Sequence, residues 1–197
     1  MRAFVAQGVS AIILAPVVET GWEPVLREIK QAKIPVILVD RGVKVSDDSL
    51  YTTLIASDFV QEGRMAGDWL AQKLNRKGNI VELQGTPGAA PAIDRKKGFE
   101  EGIAPYLPMK IIKSQSGDFT RAKGKEVMEA FLKADGKNIN AVYAHNDDMA
   151  LGAIQHRRFV ATLPPLDVPR TSSGAFPLVL ALMLGALGLV LAVYLAI

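Results

Sequence analysis

Between residues 9 and 155 the chain alternates two patterns: short, nearly continuous apolar runs, and longer stretches whose apolar positions recur every three or four residues. The first pattern fits strands buried on both faces, the second fits amphipathic helices. Residues 11–15 form an apolar run closed by Pro16, and residues 36–39 form another after Pro35. Further strands are predicted over 51–56, 80–83, 110–113 and 141–144. Helices are predicted over 23–33, with Val25, Leu26, Ile29 and Ala32 on one face and Pro24 in the first turn, and over 59–75, with Asp58 placed to cap it. Three more are expected over 93–104, 121–134 and 147–155. Strands of four to six residues separated by amphipathic helices imply parallel sheets with right-handed crossovers, so the fold class is α/β.

The polar stretch at residues 76–79 interrupts this rhythm, and the pattern restarts after it. It divides the chain into a partial first lobe over 1–76 and a partial second lobe over 77–155. Residues 1–8 resemble the end of a helix stopped by Gly8, with no apolar leader pattern, which suggests a chain that opens inside an element. After Gln155 the composition changes. Residues 156–175 hold Pro164, Pro165, Pro169, Arg157, Arg158 and several Ser/Thr, and read as a linker. No charged side chain occurs from Thr171 to Ile197. A helix over 176–197 would reach roughly 30 Å, the thickness of a bilayer's hydrocarbon core, so a membrane helix contacting lipid is expected there. A buried core helix is the alternative. Arg157, Arg158 and Arg170 all precede that run, which by the positive-inside tendency would leave the globular part cytoplasmic.

Charge narrows the function. Residues 1–155 carry 20 Lys/Arg and 19 Asp/Glu, leaving no basic footprint for nucleic acid. With no cysteine, a thiolate metal site or cysteine nucleophile is ruled out, and the two histidines, His145 and His156, have no ligand partners at metal spacing. No phosphate-binding glycine loop or nucleophilic serine elbow follows a strand. Nothing calls for a cofactor or for catalysis.

Ligands of parallel α/β sheets bind beyond the carboxyl ends of the strands. The sequence places Trp22, Asp40-Arg41, Asp94-Arg95, Asp118-Phe119 and Asn146-Asp147 at such junctions. Carboxylate, guanidinium and amide groups exchange paired hydrogen bonds with vicinal hydroxyls, and Trp or Phe rings stack on the C–H face of a sugar. Each residue also has a plainer reading. Asp94, Asp118 and Asp147 could cap helices; Asp40-Arg41 could be an exposed ion pair; Trp22 could cover the first lobe; Asn146 could be turn chemistry. Arg95, beside Lys96 and Lys97, could belong to a solvated helix start, though three cations there oppose the helix dipole.

Taken in order, residues 11–16, Ile34-Pro35-Val36-Ile37-Leu38-Val39-Asp40-Arg41, Ile93-Asp94-Arg95-Lys96-Lys97-Gly98-Phe99, Gln115-Ser116-Gly117-Asp118-Phe119-Thr120-Arg121 and residues 143–154 resemble the type I periplasmic sugar-binding proteins. The resemblance covers residues 2–155. It implies a receptor of a bacterial ABC importer that closes two lobes around a monosaccharide, such as galactofuranose or a similar hexose, and presents it to a membrane permease outside the cytoplasm. By match to the family's motifs, Asp40, Arg41, Arg95, Phe119 and Asn146 contact the sugar, with Asp94 and Trp22 as weaker candidates. The family shares its fold with the sensor domains of lactose-repressor-type regulators, the competing reading, which would need a helix-turn-helix upstream. The family's first β-α-β segment has no counterpart here, and residues from His156 onward do not match it. A third expectation follows: sheets short of strands expose edges, and the isolated chain is then marginal and binds nothing.

Overall fold

The computed structural model describes residues 1–155 and the pair Ala192–Val193. The α/β alternation is present throughout. Helix α1 (Arg2–Ala6) ends at Gln7, and Gly8 turns the chain with φ 65°. Strand β1 (Ile12–Leu14), helix α2 (Glu23–Gln31), β2 (Val36–Val39) and β3 (Thr53–Ile55) follow. Helix α3 (Phe59–Lys73) leads to β4 (Gly78–Gln84), α4 (Ala90–Ile103), β5 (Met109–Ser116), α5 (Arg121–Asp135), β6 (Ala141–Ala144) and α6 (Asp147–Ile154).

The strands form two sheets. The first has the order β1-β2-β3, all parallel, with Leu38 opposite Leu14 on one side and Leu54 on the other. In the second, β4 lies between β5 and β6, parallel to both. The pair β7 (Ala192–Val193) runs antiparallel on the far edge of β6. The membrane helix expected over 176–197 otherwise falls outside the described residues, and this one pair within it is extended. Among the described residues no helix is long and apolar enough to cross a membrane. The linker expected over 156–175 also lies outside them.

Alternation along β4 and β6 splits the second sheet into two cores. Ile80, Ala141 and Tyr143 face α3 and α4, packing on Leu70, Phe99 and Ile103, with the Phe99 and Tyr143 rings stacked 3.8 Å apart. Val81, Leu83, Val142 and Ala144 face α5 and α6, packing on Val127, Met128, Phe131 and Met149. Helix α3 therefore sits on the second sheet. Its backbone touches that of α4: a Cβ on Gly98 would come within 1.9 Å of the Val60 carbonyl oxygen. Where the pattern along the chain puts the crossing at residues 76–79, these contacts put it at 56–58, between β3 and α3. The stripe on α3 specifies an apolar face but not the sheet it covers.

Helix α4 starts at Ala90, three residues before the expected position, because Pro91 suits its first turn. Asp94 and Arg95 therefore stand in the second turn. Asp94 does not cap the helix, and the three cations there do not oppose its dipole. They are paired instead: Arg95 with Glu62, Lys96 with Glu82 and Glu100, Lys97 with Glu101.

Candidate functional site

Both sheets aim their carboxyl-terminal loops at one another. Glu19, after β1, donates its backbone N–H to the Gly88 carbonyl oxygen, after β4, at 2.9 Å. The Arg41 guanidinium, after β2, lies 5.5 Å from the centroid of the Phe119 ring, after β5. The space between the lobes is thus bounded by loops of both sheets, where the topology of parallel α/β proteins puts ligands.

In the first lobe, Asp40 sits at φ 64° in a tight turn closed by the Arg41 N–H donating to the Val39 carbonyl oxygen at 2.7 Å. Such a left-handed γ-turn is strained, by roughly 1–3 kcal/mol, and persists where surrounding contacts hold it. Here the Asp40 N–H donates to the Ile55 carbonyl oxygen at 2.9 Å. The turn presents Asp40 to solvent and lays the half-buried Arg41 across to Val17, whose carbonyl oxygen accepts from Arg41 Nη1 at 3.3 Å. Arg41 Nε also reaches Asp40 Oδ2 at 3.3 Å.

The second lobe uses the same device. Asp118 and Phe119 both hold positive φ, 54° and 57°. Phe119 is pinned by its carbonyl oxygen, which accepts from Asn146 Nδ2 at 3.0 Å, and its ring lies on Gly85, where a Cβ would approach to 2.0 Å. Asn146 is the N-cap of α6: its Oδ1 accepts from the Met149 N–H at 3.1 Å. The capping role expected of Asp147 belongs to Asn146, and that expected of Asp118 belongs to Thr120, whose Oγ1 accepts from the Lys123 N–H at 3.3 Å. With one amide hydrogen and one carbonyl lone pair still unused, Asn146 retains the capacity to bond a hydroxyl. Next to it, Asp147 Oδ1 is buried without a hydrogen-bond partner among the described residues. Burial, and then the neighbouring Asp148, raise the Asp147 pKa, while Arg95 pulls it down, which places Arg95 within electrostatic reach.

Arg95 is buried. Its Nε donates to Glu62 Oε2 at 2.9 Å, and its guanidinium stacks 4.6 Å from the Phe59 centroid. Both partners come from the start of α3. Among the described residues, the two terminal nitrogens make no hydrogen bond, so a pre-oriented fork remains for a polar guest. Asp94 is half-buried, and burial raises its pKa, with Lys97 lowering it and Asp58 raising it.

Arg41, Phe119 and Asn146 are therefore brought together, with Asp40 joined to them through Arg41, while the Arg95 side chain is fixed separately by Glu62 and Phe59. Trp22 is not part of this group. Its indole N–H donates to the Val18 carbonyl oxygen at 2.7 Å and its ring packs on the first-lobe core, as its plainer reading had it. Glu62 and Phe59 escaped the sequence reading, because residues 33 and 36 positions from Arg95 give no local signal. A third omission was legible. Glu82 stands in the middle of a strand read as buried, and a carboxylate there requires partners.

A profile of the periplasmic binding protein domain matches residues 1–156. The chain belongs to that family, with the α/β parallel-sheet architecture of its type I members. It is 58% identical over 180 residues to the galactofuranose-binding protein YtfQ of Escherichia coli (strain K12), covering 90% of this chain and 57% of that protein. The alignment thus runs past Gln155, contrary to the expectation that the match ends there. The ribose import binding protein RbsB of Bacillus subtilis (strain 168) is 36% identical over 151 residues, 77% of this chain and 48% of its own length. The chain spans about half the length of these curated relatives. Among solved structures, a galactofuranose binding protein superposes with TM-score 0.79 at 61% identity, over 81% of this chain and 55% of its own. A periplasmic binding protein of an arabinose transporter from Shewanella sp. ANA-3, bound to α and β-L-arabinofuranose, gives 0.78 at 60%, over 81% and 53%.

Proposed function

We propose that the loops gathered between the two sheets form the sugar-binding cleft of a solute receptor for an ABC importer, acting outside the cytoplasmic membrane and delivering its guest to a permease. The observation that carries this reading is the meeting of Arg41 from the first lobe with Phe119 and Asn146 from the second. A flat ring, an amide with spare bonding capacity and two guanidinium groups suit a small polyhydroxylated ring with one C–H face. Relatives named for galactofuranose and bound to arabinofuranose make a five-membered sugar ring the favoured guest.

The geometry supports a distinct role for each residue. Phe119 supplies the stacking surface. Arg95, held by Glu62 and Phe59, supplies two fixed donors. Asn146 offers both a donor and an acceptor, and Asp40-Arg41 reaches the guest from the opposite lobe. Titration calorimetry of the full chain with D-galactose and L-arabinose is expected to give saturable heat, against the competing expectation that sheets short of strands leave it unable to bind. Arg95→Ala should weaken binding at least about tenfold, the cost of losing a charge-assisted hydrogen bond. Equal affinity in the variant overturns the site assignment, and no saturable heat from the unaltered chain overturns the binding reading.

A further inference from the structure

Beneath the proposed cleft lies a buried network that the sugar-facing residues do not account for. Glu82 projects from the middle of β4 and His145 follows β6; both side chains are fully buried. His145 Nε2 lies 3.1 Å from Glu82 Oε1. The Glu82 carboxylate also accepts from Lys96 Nζ at 3.2 Å, from Gln84 Nε2 at 3.0 Å and from Ser114 Oγ. On the other side of the imidazole, the Gly85 backbone N–H donates to Nδ1 at 3.3 Å. A backbone N–H can only donate, so Nδ1 is the unprotonated nitrogen and Nε2 carries the hydrogen given to Glu82.

Gly85 is the residue on which the Phe119 ring lies. Its carbonyl oxygen accepts from Ser116 Oγ at 2.8 Å, and the same Oγ accepts from the Asp118 N–H at 3.1 Å. A chain of contacts thus runs from a buried carboxylate through an imidazole and one glycine to the left-handed turn that carries Phe119. Packing alone has no use for an ionised group at the centre of a sheet, since an apolar side chain of the same size would fill the place. What this pair supplies is a directional acceptor that sets where Gly85 stands. We propose that His145, oriented by Glu82, is a positioning residue for the Phe119 ring and hence for the affinity of the cleft. The proposal rests on the sugar-binding reading for its consequence, though not for its geometry.

The arrangement also predicts a response to acid. Burial favours the neutral imidazole and lowers the His145 pKa, although the Glu82 hydrogen bond and charge oppose this; Arg95 and Lys96 lower it further. The Tyr143 ring stands 5.1 Å from the imidazole, while Gln84 and Ser114, from β4 and β5, bond the Glu82 carboxylate that faces it. Protonating Nδ1 would set two donors against each other at Gly85 and release the ring's bed.

Two variants separate positioning from simple stability. The paired change Glu82→Gln with His145→Phe removes the buried carboxylate charge and the imidazole acceptor for Gly85 while keeping a planar ring. His145→Gln keeps a donor toward Glu82 and an acceptor toward Gly85. Amide hydrogen exchange at Gly85, measured without sugar, should quicken at least about tenfold in the paired variant, the equivalent of one lost hydrogen bond, and stay within about threefold of wild type in His145→Gln. Affinity for L-arabinose should follow the same order, and its loss in the wild type as acid protonates the imidazole, below its ordinary range, should flatten in His145→Gln. Unchanged Gly85 exchange in the paired variant overturns the proposal. Absent sugar binding in the wild type overturns the cleft reading alone, because the exchange result stands without it.

Discussion

The two lobes are built from the same parts and finished differently. In the second, α3 and α4 cover one face of the sheet and α5 and α6 the other, so the apolar residues of β4 and β6 find apolar neighbours on both faces. In the first, Ile12, Leu14, Val36 and Leu38 point toward α2 and form a single core with Leu26, Ile29 and Leu50. The opposite face of the first sheet leaves Ile13 71% exposed and Ile55 56% exposed. Parallel sheets are stable when both faces are covered, and among the described residues only the second lobe meets that condition. Cleft geometry follows the same division. Phe119, Asn146 and Arg95 are each fixed by contacts within the well-covered lobe, whereas Asp40 stands exposed on the open one.

The strongest way to break this comparison is to damage each core in turn. Phe99→Ala removes a fully buried ring stacked on Tyr143 and should cost about 3–5 kcal/mol, read as a lowered urea midpoint. Leu26→Ala, equally buried, should cost roughly 2–4 kcal/mol but confine faster hydrogen exchange to residues 1–56, leaving the β4 and β6 amides protected. If both variants lose protection everywhere, the lobes form one cooperative unit and the contrast fails.

Acid gives a smaller effect that sharpens the contrast. The folded second lobe holds His145 neutral, with its pKa below the ordinary 6.5, so the unfolded chain binds more protons as pH drops. Glu82 acts in the same sense at lower pH. Burial alone would raise its pKa, but hydrogen bonds from His145 and Ser114 and the charge of Lys96 outweigh this and hold it below the usual carboxylate range. Both terms are present at neutral pH. The first is lost as pH falls below about 6.5 and the second below about 4.5, so the midpoint temperature should fall on acidification. The His145→Gln variant should lose the upper part of that fall.

Secondary structure was legible in order and type, and in places to the residue: β2 and β6 occupy the runs that periodicity marked, because four apolar residues bounded by Pro35 or by Asn140 and His145 leave little choice, whereas β4 and β5 run on beyond theirs. Tertiary assignment was less so. Nothing in the stripe of α3 says which sheet it covers; its place follows from backbone contact at Gly98, a residue on another helix. Among the proposed site residues, the motifs marked Arg95, Phe119 and Asn146 but not their supports. Glu62 holds Arg95 from a helix 33 residues earlier, and Glu82 meets His145 across 63. Local pattern reports what a residue is suited to; it carries no distance across a sheet.

The gentlest test is Ile13→Lys on the open face of the first sheet. It should shift stability by no more than about 0.5 kcal/mol, as for an ordinary surface change, in thermal unfolding of the full chain. A loss several times larger would mean that the face is covered after all.

The guanidinium of Arg41 rests over the ring of Phe119. A visitor that seeks that aromatic surface therefore meets a resident cation, and must slide beneath it or push it aside. Eviction would subtract about 0.5–1 kcal/mol from whatever the newcomer gains. Trimming Arg41 back would then lighten the toll at the door while removing the grip proposed for it, so the two effects would work against each other in a single measured affinity.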